Sequence, residues 1–226
     1  MQGKACRFML IVWAFAWPAL ATGHPPGEVA SPRPAAVLFE ANFPTATRHD
    51  DASGNLRLLT HIDQPRPTHA TSSREHAMDF IARWGEALGL SPLQWRYEKT
   101  ERYRGREIVH LEQTSGELTV IGGAMRMTFS ERGDLLMLTC QTYKDLLPLL
   151  RGPISPARAR AMAEDRFGAT VASQRAVALP LGASGRMLLV HELLLERQGA
   201  EIARTRVRID SRDGRVISKT SLAHAL

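Results

Sequence analysis

The stretch Val190-His-Glu-Leu-Leu-Leu-Glu-Arg-Gln198 suits a helix or a strand equally well by composition, since Leu and Glu are good helix formers. Its successor is unambiguous. Ala203, Thr205, Val207 and Ile209 alternate with Ile202, Arg204, Arg206 and Arg208, the two-residue period of a half-buried strand. Ser211-Arg212-Asp213-Gly214 then turns the chain into Arg215-Val216-Ile217-Ser218, a hairpin. A segment flanked by Gly185 and Gly199 that precedes such a hairpin is expected to join it as a third antiparallel strand. On that reading, successive side chains of Met187 to Leu195 face opposite sides, and His191 and Glu192 point apart.

The same stretch begins like the zinc-peptidase helix H-E-x-x-H, in which two histidines one turn apart hold the metal and the glutamate activates water. Leu195 occupies the second histidine position and has no lone pair to offer. As a zinc motif, the stretch fails.

Upstream, Ser155 is placed to cap a helix with Pro156 at its first position. Ala159, Met162, Ala163 and Phe167 form its stripe, and Gly168 ends it. Gly152-Pro153 marks a boundary between two domains. Before it, Glu107–Gln113, Val120–Phe129 and Leu135–Gln141 are expected strands, the last two joined by the turn Glu131-Arg132-Gly133-Asp134. Arg132-Gly133-Asp134 also spells an integrin-binding tripeptide, for which the tight turn is sufficient reason. Ser72 and Glu75 make an S-x-x-E capping box ahead of Ala77, Phe80, Ile81, Trp84 and Leu88, with Gly89 as the expected C-terminal cap. Ser53–Ile62 gives a turn and a short strand stopped by Pro65 and Pro67. Residues 24–50 read as a Pro/Ala-rich, extended lead-in that Val37, Leu38, Phe39 and Phe43 dock onto the body.

Residues 1–23 have the form of a Sec-type signal: Lys4 and Arg7, an apolar run from Phe8 to Ala16, then small residues. The run is shorter than the ~20 apolar residues a membrane span needs, and Pro18 interrupts it. A secreted or periplasmic protein is expected, with no membrane contact once the signal is removed. Removal leaves 27 basic against 23 acidic residues, a formal +4, and Cys140 alone, which cannot close an intrachain disulfide. The arginines are spread along the chain rather than clustered with aromatics, which argues against nucleic acid.

No metal, cofactor or catalytic set is expected. The eight histidines are His24, His49, His61, His69, His76, His110, His191 and His224; none stands four residues from another, and none makes a Cys/His zinc pattern with Cys140. A Cys140–His110 nucleophile pair on neighbouring strands is conceivable, although a buried structural cysteine is the commoner case. There is neither a G-x-S-x-G elbow nor a phosphate loop. Gly122-Gly123 inside a strand points to a bulge or a close backbone approach.

The segment H-L-E-Q-T-S-G-E-L-T-V-I-G-G, His110 to Gly123, resembles the signature of the fungalysin/thermolysin propeptide domain, matching at His110, Gln113, Val120, Gly122 and Gly123. It departs from that signature at Ser115, Glu117 and Thr119, where the family has Tyr, Gly and Pro. The second half, from I-S-P-A-R-A-R to R-V-R-I-D-S-R-D-G-R-V, resembles a PepSY domain, its tail echoed by Ile209, Asp210, Gly214 and Val216. Together the resemblances imply an α+β chain of two small domains, 51–150 and 153–219, each an antiparallel sheet packed on a helix in a cystatin-like propeptide arrangement. A tail, 220–226, follows.

In thermolysin-like precursors such a proregion is not the enzyme. The resemblance implies an exported protein that binds, inhibits and helps fold a thermolysin-like zinc metallopeptidase in trans, with Leu222, His224 and Leu226 as candidate contacts in the target's cleft. Two other readings stand beside it. The chain is the proregion of a longer precursor, inhibiting in cis, or it is a PepSY-type envelope module with a different partner.

Overall fold

The computed structural model describes residues 34–144, 146–147, 149–182, 185–197 and 203–222. The signal segment, the lead-in up to Arg33, Gly199, Ile202 and the tail residues His224 and Leu226 lie outside them.

The chain is α+β. Its described elements are α1 (Pro34–Asn42), β1 (Thr47–Asp50), β2 (Leu56–Thr60), α2 (Ser73–Trp84), β3 (Gln94–Tyr103), β4 (Arg106–Ser115), β5 (Leu118–Phe129), β6 (Leu135–Gln141), β7 (Leu149–Leu150), α3 (Pro156–Phe167), β8 (Thr170–Pro180), β9 (Met187–Arg197), β10 (Ala203–Asp210) and β11 (Val216–Leu222). The ambiguous stretch is strand β9. It pairs antiparallel with β8 on one side and β10 on the other, and β10 pairs with β11. The first half forms its own antiparallel array, β3-β4-β5-β6-β2-β1.

Each half is therefore an antiparallel sheet with a helix, as expected, but the two sheets are one. Thr119↔Val177 and Val120↔Ala178 join β5 to β8 in parallel, and the hydrogen-bonded network runs through all eleven described strands. The described residues from Pro34 to Leu222 belong to one compact unit that Gly152-Pro153 does not divide. The linker after β6 also ties the halves, because β7 pairs in parallel with the start of β9. Sequence periodicity is blind to such a junction. Two residue pairs of parallel contact leave no pattern in either strand alone.

Two cores lie under the helices. Ala77 and Phe80 of α2 pack with Val109, Leu111, Met125, Met127 and Leu138. Ala159 and Ala163 of α3 pack with Leu193, Leu195, Val207 and Ile209. Caps bound both helices. The Ser72 hydroxyl accepts from Glu75 N at 3.2 Å, while the Glu75 carboxylate accepts from Thr71 N at 2.6 Å, one residue earlier than an ideal capping box. Ser155 accepts from Arg158 N at 3.2 Å, and Gly168 closes α3 in the left-handed region at φ 56°.

Three expectations are revised and one strand is new. Helix α2 stops at Trp84, not at Gly89: Gly85 is its right-handed cap, and Leu90 N turns back to Gly85 O at 2.7 Å, so Gly89 (φ 69°) ends an extra turn. The lead-in is not simply extended, because it contains α1 and β1; Phe39 and Phe43 are buried while Val37 and Leu38 are exposed. Strand β3 has no counterpart in the sequence reading, for the mostly exposed run Gln94–Tyr103 alternates charge rather than hydrophobicity along most of its length. Finally, Thr220-Ser221-Leu222 are not a free tail but the end of β11.

Candidate functional site

The signature residues mostly converge on the junction. In β4–β5 the register jumps from Glu112↔Ala124 to Thr114↔Thr119, so β5 carries an excursion at residues 120–123. Gly122 turns through φ 82°, and a Cβ there would meet Tyr143 Oη at 2.9 Å. A Cβ on Gly123 would meet the Gln113 side chain at 2.7 Å. Into the space left by Gly123 lies the buried Gln113 amide. Its Nε2 donates to Tyr143 O at 2.7 Å and its Oε1 accepts from Tyr143 N at 3.0 Å, as a paired strand residue would. Val120, also buried, packs with Ala178 and Met187.

His110 stands apart. Its Nε2 lies 3.1 Å from a Glu101 carboxylate oxygen, without hydrogen-bond alignment, on the opposite side of β4. The conceived Cys140–His110 pair is excluded by geometry. The register runs His110↔Arg126↔Thr139 and Leu111↔Met125↔Cys140, so β5 separates the two strands and the side chains leave opposite faces. Burial pushes the Cys140 thiol up to about 12, and its Sγ bonds Leu56 O at 2.9 Å.

Asp210 and Gly214 shape the β10–β11 turn. The Asp210 carboxylate accepts from Arg212 N and Arg212 Nη2, both at 2.8 Å, and these bonds hold its pKa below the usual range. Gly214 sits at φ 76° where a Cβ would collide with Met162. The turn anchors α3, since Ser211 O accepts from Ile154 N at 2.9 Å. Leu222, a candidate cleft contact, pairs with Arg204 across β10–β11.

His191 and Glu192 do point apart. The His191 ring Nε2 bonds Ile154 O at 2.8 Å on the helix side. Glu192 lies on the other side between Arg175 (2.8 Å) and Arg208 (2.8 Å). Burial alone would raise its pKa, but the bonds from the two arginines outweigh it and keep the carboxylate ionised. Arg175 also reaches Glu112 at 3.6 Å, and Glu112 holds Arg96 at 3.0 Å. Thr119 completes this row, its hydroxyl donating to Glu112 at 3.1 Å and accepting from Arg96. A ladder Arg96–Glu112–Arg175–Glu192–Arg208 thus crosses both halves on the side away from the helices. Sequence reasoning missed it. The available signal was charge at alternate positions of β10, but its partners lie in strands that only the β5–β8 junction brings together.

Among the described residues, no group of three or more His, Cys, Asp or Glu side chains is placed to hold a metal ion. No helix among them is long and apolar enough to cross a membrane.

No protein-family model matches the chain, and no curated protein sequence does. Among solved structures, the Bacillus megaterium YpeB C-terminal domain is similar at 12% identity and a TM-score of 0.45, over 84% of this chain and 96% of that one. A likeness at that level carries no argument about what this chain does.

Proposed function

We propose that this chain is an exported, non-enzymatic binding module of the propeptide type: a propeptide-like half followed by a PepSY-like half, whose partner is a thermolysin-like zinc metallopeptidase that it inhibits and helps to fold. One observation carries the reading. Among the described residues, four that bear chemistry or the family likeness are tied up internally: Gln113 to Tyr143, His191 to Ile154, Cys140 to Leu56 and Asp210 to Arg212. What the protein offers outward is surface, above all the charged side of its sheet, and binding through a broad complementary surface is what inhibition in trans requires.

The test is a titration of the purified chain into a thermolysin-like peptidase, read with a fluorogenic peptide. Activity should fall to a floor at a stoichiometric ratio. Unchanged hydrolysis with the chain in large excess overturns the peptidase reading.

A second reading, an envelope module with another partner, is favoured by Thr119. The propeptide signature has proline there, whereas this chain uses the threonine hydroxyl inside its ion ladder. The chain's own chemistry has thus been built into that surface. Capture from culture medium that recovers a defined partner but no metallopeptidase would support this alternative.

A further inference from the structure

Resting on the reading that this is a protein-binding module, we propose that the helix-free side of the sheet docks an acidic protein surface, gripping carboxylates with a preorganised row of guanidinium groups. The layering of charge carries the proposal. Glu192 and Glu112 keep only 7% and 17% of their side-chain surface exposed, whereas their partners Arg175, Arg96 and Arg208 keep 50%, 48% and 25%. The carboxylates form a floor, and the guanidinium groups stand above it. An incoming surface meets cations first.

The count of charges points the same way. Six arginines share this side: Arg96, Arg126, Arg175, Arg204, Arg206 and Arg208. They share it with four glutamates: Glu101, which is matched by Lys99 on the same strand, and Glu112, Glu192 and Glu196. Arg126 and Arg206 are exposed and have no ion-pair partner among the described residues. Arginine suits the task because its planar fork takes a carboxylate through two parallel N–H donors. The glutamate floor reduces the rotamer freedom that Arg96, Arg175 and Arg208 would otherwise lose on binding. Charges spread along one side also steer a partner of opposite sign, in a way that salt weakens.

A carboxylate-rich protein surface is favoured over a lipid bilayer because β8, β9 and β10, which carry most of the row, bear none of the large exposed apolar residues among the described residues; Tyr103 stands on this side, but at the opposite end of β3 from Arg96.

The experiment compares three forms of the full chain: unaltered, R126E/R206E on this side, and R83E/R158E on the exposed faces of α2 and α3, a matched change in charge. Circular dichroism melts check that each folds. Binding is measured to immobilised poly-L-glutamate and to phosphatidylglycerol vesicles at low and raised salt. The expected result is saturable, salt-sensitive binding to poly-L-glutamate that weakens by roughly tenfold or more in R126E/R206E and by less than about twofold in R83E/R158E. No binding by the unaltered chain, or equal loss in the two variants, overturns the proposal. Tighter binding to the vesicles, with the same dependence on R126E/R206E, overturns it in favour of a membrane.

The peptidase is scored separately. If it binds and ignores R126E/R206E, the docking side is refuted while the functional reading stands; if it does not bind at all, the functional reading falls and the poly-L-glutamate result still decides the docking side.

Discussion

Replacing Gln113 with alanine removes both bonds to the part-buried backbone of Tyr143, a loss of about 1–3 kcal/mol in urea unfolding. Gly123→Ala should also destabilise, since its methyl enters the space of the Gln113 side chain. Because the two changes act on one contact, the double variant should be less destabilised than the sum of the singles; strict additivity would show that Gln113 and Gly123 do not interlock. That Gly122-Gly123 receives something close was readable from the sequence. What it receives was not, for Tyr143 lies 30 residues from Gln113 and the contact exists only after folding. His76 gives a prediction in pH. It is buried, its Nδ1 lies 3.1 Å from Gly133 O, and burial lowers its pKa from the ordinary 6.5. The unfolded chain then binds more protons than the folded one below pH 6.5, so the full contribution is present above that value and declines as pH falls through it. Thermal melts of His76→Gln, set against the unaltered chain from pH 8 to 5, should show a shallower loss on acidification; parallel curves would contradict the assignment.

Local rules predicted α3 and the β9–β11 meander well because each carries its own start, stop and period. Ser155→Ala should cost about 1 kcal/mol, as loss of an N-cap does, and Gly168→Ala about the same for forcing a side chain into the left-handed region; an unchanged denaturation midpoint in either would deny the cap its role. Strand β3 was illegible because most of its side chains meet water, so no hydrophobic alternation remains to betray it. Helix α1 was hidden by a Pro/Ala-rich context, although Pro34 at its first position and the alanines after it are compatible with a helix start. In β9, Glu192→Gln keeps the shape but removes the charge that two arginines share. With Arg175 half exposed and solvent screening the pair, a loss of about 1–2 kcal/mol is expected at neutral pH. The loss should shrink as pH falls through the lowered pKa of Glu192, where the native carboxylate becomes neutral too.

Two helix-and-sheet patterns were legible, but their union in one sheet was not, since it rests on the parallel β5–β8 contact and on an ion ladder between residues far apart in sequence. One sheet predicts one transition. Trp84 and Trp95 both pack on the core under α2, so their fluorescence reports the first half, while far-ultraviolet circular dichroism reports both halves. The two denaturation curves should superimpose, and a fluorescence midpoint well separated from the dichroism midpoint would show halves that unfold independently. The functional proposal belongs to this scale as well, because it assigns the chain a surface rather than a reacting centre. Sedimentation of the full chain with a thermolysin-like peptidase, assaying peptide hydrolysis in every fraction, probes that assignment most directly. A one-to-one complex with silenced hydrolysis, and no hydrolysis in fractions holding the chain alone, is the expected result; separate migration of two unaltered proteins, or hydrolysis by the chain itself, would contradict it.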